Sequence, residues 1–333
     1  MNIRDIAFAL PVREVDSAEI SKWTGAEESF IVNKIGISTR RFLGPDEPPL
    51  SLSKRACDEL FLRNNELQLA DVQLLIVVTQ NPDYKLPHSS ALLQHAIGLP
   101  LSTACFDINL GCSGYVYALA VAKGLMSQFN WKNAILVTCD PYSKIMGAED
   151  RDTVTVFGDA ATATWLSSEK GGAIGVTDFG TDGGGARHLM VKAGGAANPI
   201  SQVFSRVDVD NHPPDMRLTM NGRAILNFML QRVPQTVRLC LEKNDLAFDQ
   251  VNYFIFHQAS KFMIENLRQK LGLSEEKAPC DITQIGNTVS SSIPIALSKK
   301  MDGGDINNSY ILLSGFGVGL SWATTIIKFG GVT

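Results

Sequence analysis

The chain has 333 residues, 45% apolar and 19% charged, with a formal net charge of −4. That balance suits a large globular protein with extensive buried sheets, excludes a disordered or fibrous chain, and points away from nucleic acid. Six scattered cysteines (Cys57, Cys105, Cys112, Cys139, Cys240, Cys280) without a C-x-x-C pair argue for reduced thiols in a cytoplasmic protein, against a disulfide framework and against a metal site. Only a short apolar stretch follows Arg4 and Asp5, and no apolar run nears the roughly 20 residues that span a bilayer, so neither signal peptide nor membrane contact is expected.

Residues 1–50 open with a short strand (Ile3 to Ala9), a polar helix and the segment Phe30 to Gly36; the run from Gly44 to Pro49 reads as a loop. Ser51 or Ser53 is expected to cap a helix carrying Ala56, Leu60 and Leu67. Leu74 to Val78 is a continuous apolar run, the mark of a strand covered on both faces. A loop from Asn81 to Pro87 and a helix around Leu92 follow. A buried strand (Ala104 to Leu110) then stops at Gly111 and turns straight into a helix on which Tyr115, Leu119, Ala122 and Met126 recur. Ala134 to Cys139 reads as another buried strand, and Phe157 opens a further one. Alternation of this kind predicts parallel sheets.

The second half repeats the first. Leu62-Arg63-Asn64-Asn65-Glu66-Leu67 with the strand after it matches Leu241-Glu242-Lys243-Asn244-Asp245-Leu246 with its own strand. Gly111-Cys112 corresponds to Gly286-Asn287, and the strands from Asn133 and Asn308 fall at the same offset. Three matches in one order indicate duplication, with halves 1–170 and 171–333 meeting near the polar link Ser167 to Gly172. The glycines between Thr181 and Gly195 read as turns, since no Lys-Ser/Thr follows to make a phosphate loop, and Asn211-His212-Pro213-Pro214 reads as a loop.

Functional groups of such α/β halves belong at the carboxyl ends of strands. Cys112 sits there in the first half, at a helix start whose free N–H groups and dipole favour a thiolate. The second half offers His257, closing the strand from Tyr253, and Asn287 at a second helix start. Duplication brings the Cys112 and Asn287 turns face to face. His88, His95, His188 and His212 lie in polar or loop contexts and are expected to be solvated.

With these residues in view, the chain resembles the β-ketoacyl-ACP synthase III family of the thiolase superfamily. The likeness rests on Phe30-Ile31-Val32 with Gly36-Ile37 and Arg40, the Cys112 turn, Asp150-Arg151-Asp152 before Phe157-Gly158-Asp159, His257-Gln258-Ala259, Gly286-Asn287-Thr288, and Gly315 to Trp322. It implies a five-layered αβαβα thiolase-like fold, a homodimer, and a Cys-His-Asn site at the bottom of a pantetheine tunnel. It implies no resident cofactor: the substrates are thioesters of CoA or of the phosphopantetheine on an acyl carrier protein (ACP). The resemblance places an oxyanion hole at the backbone N–H groups of Cys112 and Val318, the latter a position where the family usually has glycine. Substrate and carrier contacts fall to Phe30, Lys34, Leu86, Arg151, Phe157, Ser260 and Lys261. Among them, Phe30 and Lys34 replace a Trp and an Arg, Ser260 replaces an Asn, and Lys261 supplies the charge of an Arg replaced by Phe262. Leu86 stands where some members send a Phe across the dimer interface. These departures point to a specialised homologue taking a primer other than acetyl.

The chemistry fits the side chains themselves. A cysteine exchanges acyl groups with a thioester readily, so Cys112 can take an acyl primer. A malonyl thioester (malonyl-ACP or malonyl-CoA) then loses CO2 to an enolate whose oxygen needs neutral donors, the His257 Nε2–H and the Asn287 amide. The alternative is an acyltransferase or thioester hydrolase that passes the acyl group to another nucleophile or to water. A papain-like hydrolase also uses Cys-His-Asn, but the buried strands and duplication do not suit it.

Overall fold

The computed structural model describes residues 1–169, 171–200, 214–304 and 306–330. Lys170 of the polar link and Asn211, His212 and Pro213 of the expected loop lie outside them. In chain order the strands are β1 (Asn2–Ala9), β2 (Arg13–Asp16), β3 (Thr39–Phe42), β4 (Val72–Val78), β5 (Ala104–Ile108), β6 (Asn133–Cys139) and β7 (Ala161–Ser167). They continue as β8 (Gly172–Ile174), β9 (Asp178–Thr181), β10 (Leu189–Val191), β11 (Leu218–Met220), β12 (Tyr253–Phe256), β13 (Tyr310–Gly317) and β14 (Ser321–Phe329). One five-stranded sheet has the order β1-β7-β6-β4-β5, and a second runs β12-β13-β14-β8 with β9 also on β14.

Alternate residues of single strands feed different cores, as the period of two requires. Leu74, Ile76 and Val78 of β4 point to a central core with Ile255 of β12 and Leu313 of β13, whereas Leu75 and Val77 point outward. The central core is filled by two helices between the sheets, Gly114–Phe129 and Ser292–Asp302, which supply Tyr115, Leu119, Met126, Ile293 and Leu297. Helices Pro49–Arg63 and Ser89–Ile97 cover the outer face of the first sheet through Leu52, Leu60 and Leu93. Helices Gly222–Lys243 and Lys261–Leu271 cover the second through Met229, Val233, Ile264 and Leu267. The layers are therefore helix, sheet, helix, sheet, helix.

Three local expectations are corrected. The sheets are mixed: β4 runs parallel to β5 and β6, but β7 runs antiparallel to β6 and to β1, and β14 antiparallel to β13. The β6–β7 link holds only short helical turns and β13–β14 is a tight hairpin; neither provides the crossover helix that a parallel return needs. Second, β5 is not buried but half-buried at every residue, because it forms the edge of its sheet. Third, the helix expected to be capped by Ser51 or Ser53 starts earlier, at Pro49. Proline suits that first position because the missing N–H is one the helix does not use.

Candidate active site

After β5 the chain closes a tight turn, with the Gly114 N–H donating to the Gly111 carbonyl at 2.7 Å, and enters the central helix at Gly114. Cys112 precedes that helix by two residues and is 4% exposed. Backbone packs directly against it. A Cβ on Gly315 of β13 would stand 2.6 Å from the Cys112 carbonyl oxygen, and one on Gly317 would stand 3.0 Å from Sγ. Ser113 Oγ lies 2.7 Å from Ser321 Oγ, tying the turn to β14. The expectation that the helix start yields a thiolate is overturned: burial pushes the Cys112 thiol well up, and the negative charge of Asp140 adds to it. Desolvation of an ion outweighs a partial helix charge. Asp140 itself is fully buried and raised to about 6 by desolvation, although the Gln80 N–H and the Ser290 hydroxyl donate to it.

His257 extends β12 by one residue, its N–H donating to the Ser314 carbonyl at 2.9 Å, and its ring meets Phe316 edge-on at 5.5 Å. Nδ1 lies 2.7 Å from Ser292 Oγ. Burial lowers the imidazole to about 3, so it is neutral at physiological pH. Asn287 is clamped through its backbone: its N–H donates to the Val156 carbonyl and its carbonyl accepts from the Gly158 N–H, both at 3.0 Å. Its side-chain Oδ1 accepts from the Val289 N–H at 2.9 Å, which leaves the amide NH2 as the free donor end. Val289 makes this bond with φ at 53°, an uncommon conformation for a β-branched residue that costs on the order of 1–3 kcal/mol.

Cys112, His257 and Asn287 border one cavity of about 610 Å³. Phe157, Leu189, Ile225 and Phe316 form a buried apolar wall beside them. The mouth is cationic and aromatic: the Arg151 guanidinium lies 5.2 Å over the Phe30 ring, and Lys34 Nζ lies 4.6 Å over Phe262. Ser260 lines the cavity while capping the helix from Lys261, its Oγ accepting from the Met263 N–H.

Three expected residues are not in this wall. Lys261 packs beside Gly36 and its Nζ approaches Glu265 at 3.9 Å. Leu86 is 87% exposed on the loop before helix Ser89–Ile97. Val318 borders the turn after β13; its carbonyl accepts from Ser321 Oγ and its φ is negative, so its side chain adds no strain.

Sequence reasoning missed Arg223 at the mouth and the Ser292 partner of His257, and it named Gly317 only as part of a motif, not as a neighbour of the sulfur. The only available signal was the run Ser290-Ser291-Ser292 directly after Asn287-Thr288-Val289. Among the described residues no cluster of three His, Cys, Asp or Glu side chains has the arrangement of a metal site, and no helix is long and apolar enough to cross a membrane.

Five layers, with a cysteine, a histidine and an asparagine meeting in one cavity, define an acyl-transferring enzyme of the thiolase fold. Residues 106–183 match the family model for 3-oxoacyl-[acyl-carrier-protein] synthase III, and residues 241–329 match the model for its C-terminal part. The chain is 33% identical to a β-ketoacyl-[acyl-carrier-protein] synthase III of Levilactobacillus brevis and 31% identical to one of Clostridium beijerinckii. The matches cover 98% and 99% of this chain, and the same shares of those proteins. A crystal structure of a 3-oxoacyl-(acyl-carrier-protein) synthase III superposes with a TM-score of 0.93 at 37% identity, over 98% of this chain and 99% of that one. A synthase from Burkholderia xenovorans superposes at 0.90 and 33%, over 99% and 94%. The chain belongs to the 3-oxoacyl-[acyl-carrier-protein] synthase III family.

Proposed function

We propose that this enzyme condenses an acyl primer, held on Cys112, with a malonyl thioester to give a β-ketoacyl thioester and CO2. The observation carrying the proposal is the meeting of Cys112, His257 and Asn287 in one largely apolar cavity with a cationic mouth. In the first half-reaction Sγ attacks the primer thioester, the C–S bond to pantetheine breaks, and the thiol proton leaves with the departing pantetheine thiol. Because burial raises the Cys112 thiol, it rests protonated and gives up its proton to the departing pantetheine sulfur as its own bond to the acyl carbon forms. The N–H groups of Cys112 and Val318 receive the oxyanion in this step.

In the second half-reaction the malonyl C–C bond breaks and its electrons move to the thioester oxygen. The Asn287 amide and the Nε2–H of a neutral His257 stabilise that charge. The enolate carbon then attacks the acyl carbonyl, the C–S bond to Cys112 breaks, and one proton from solvent restores the thiol. A neutral imidazole matters because a cation there would also stabilise the malonyl carboxylate in the ground state and so oppose loss of CO2.

Substrates arrive as CoA or ACP thioesters, with no resident cofactor. Arg151, Lys34 and the ring of Phe30 meet phosphate and adenine, Phe157 flanks the acyl-cysteine, and Ser260 and Lys261 stand beside the incoming arm or carrier. The enzyme works in the cytoplasm as a homodimer formed along the half-buried edge strand β5, where Leu101 and Leu86 are exposed; Leu86 then faces the partner's site and helps select a primer other than acetyl. The test is incubation with a panel of acyl-CoAs and malonyl-ACP, reading the acyl-Cys112 mass and the product. A β-ketoacyl thioester with CO2 is expected. Free acid alone, or an ester or amide, means transfer to water or to another nucleophile instead.

A further inference from the structure

The segment from Thr288 to Ser292 does more than present Asn287. Residues Val289–Ser291 form a turn of three-residue period that runs straight into the helix from Ser292, so the three successive serines point in three directions. Ser290 Oγ donates to Asp140, at the end of β6. Ser291 Oγ lies 2.8 Å from Thr138 Oγ1 of β6. Ser292 Oγ lies 2.7 Å from Nδ1 of His257, at the end of β12. All three serines are buried, so each hydroxyl sits in a low dielectric, where its pairing is strongly fixed.

The Ser292 hydroxyl also accepts from the Gln258 backbone N–H, at 3.4 Å. With one lone pair used there, its hydrogen is free to go to Nδ1. Its place is the first residue of the helix Ser292–Asp302, whose positive end opposes a proton on the facing nitrogen. A neutral imidazole whose Nδ1 accepts must carry its proton on Nε2. We propose that Ser292 is a positioning residue that fixes His257 as the Nε2–H tautomer, and that the turn orienting the Asn287 amide through the Val289 N–H thereby aims both enolate donors at once. The proposal rests on the condensation reading of the site.

The experiment uses 15N-histidine-labelled enzyme, with His257 resonances assigned by their loss in His257→Gln. In the unsubstituted enzyme Nδ1 appears as a bare acceptor nitrogen and Nε2 as a protonated one between pH 6 and 8. Ser292→Ala brings in the Nδ1–H tautomer. It also lowers kcat for malonyl decarboxylation by the pre-acylated enzyme on the order of tenfold, the effect of one buried hydrogen bond, with KM little changed; Ser292→Thr restores both.

A proton on Nδ1 in the unsubstituted enzyme overturns the proposal, and so does a Ser292→Ala enzyme that keeps its tautomer, whether decarboxylation slows or not. The condensation reading fails on a different result, unimpaired decarboxylation in His257→Gln and Asn287→Ala.

Discussion

Replacing Gly317 by alanine tests how little room the Cys112 sulfur has. The glycine has no positive φ, so alanine brings no backbone strain and the effect is steric alone. The new Cβ would stand 2.9 Å from the Cys112 Cβ and 3.0 Å from Sγ, whereas unstrained carbon contacts sit at about 3.5–4.0 Å. About 0.5–1 Å must therefore be found. Cys112 cannot retreat as a backbone unit, because its carbonyl already packs on Gly315 and Ser113 is tied to Ser321. The side chain has to swing, and a displacement near 1 Å from an attack geometry costs on the order of 10²-fold in rate. Overpacking takes about 1–3 kcal/mol from stability. The assay is quenched-flow acylation by an acyl-CoA, followed by intact mass, alongside urea unfolding. Gly124→Ala, within the same central helix and with nothing near its Cβ, is the control; it should raise stability by about 0.5–1 kcal/mol and leave acylation unchanged. A Gly317→Ala enzyme that is as stable as the parent and acylates within about threefold of it would refute this account of the packing.

Asn287→Ala should keep Cys112 acylation and lose about 10²–10³ in decarboxylation, the effect of removing one oxyanion donor; equal loss in both half-reactions contradicts the division of labour. Alkylation of resting Cys112 by iodoacetamide should still be climbing between pH 7 and 9, since burial raises the thiol, and a plateau near neutrality indicates a thiolate instead. His257 is lowered to about 3, below the usual value of 6.5, so the unfolded chain takes up this proton first as pH falls. Its stabilising contribution is complete above pH 6.5 and is lost toward pH 3, about 2 kcal/mol by pH 5. Asp140 and Asp159, raised to about 6, act in the opposite sense, since the folded protein protonates first and destabilisation is relieved between pH 6 and 4. The unfolding free energy of the parent minus that of His257→Gln isolates the histidine. It should fall by about 2 kcal/mol from pH 7 to pH 5, and a constant difference rules the effect out.

Cys112 and His257 were legible because each follows a run of β-formers where the chain turns, and Asn287 because Gly286-Asn287 repeats the Gly111-Cys112 pattern of the first half. The strand directions were not, since nothing in β7 or β14 states which way a neighbour runs; that follows from the lack of a crossover helix before each. The state of the Cys112 thiol was misread for a related reason. A helix start is visible locally, but burial comes from Gly315 and Gly317, which lie about two hundred residues along the chain. Ser292 stayed hidden because three serines in a row look like a loop, and only the turn's period separates their partners. Arg223 opens a long amphipathic helix, and nothing nearby in sequence marks it as bordering the cavity.

The rings under Arg151 and Lys34 bear on how the enzyme meets its substrate. Each cation already rests on an aromatic face, so much of its rotational freedom is spent before any ligand arrives. Immobilising such a side chain takes about 0.5–1.5 kcal/mol, and here part of that cost falls on folding. On the proposed reading, a phosphate group arriving on either carrier meets a landing that is already ordered, and its capture costs less side-chain entropy than capture by freely swinging lysines would.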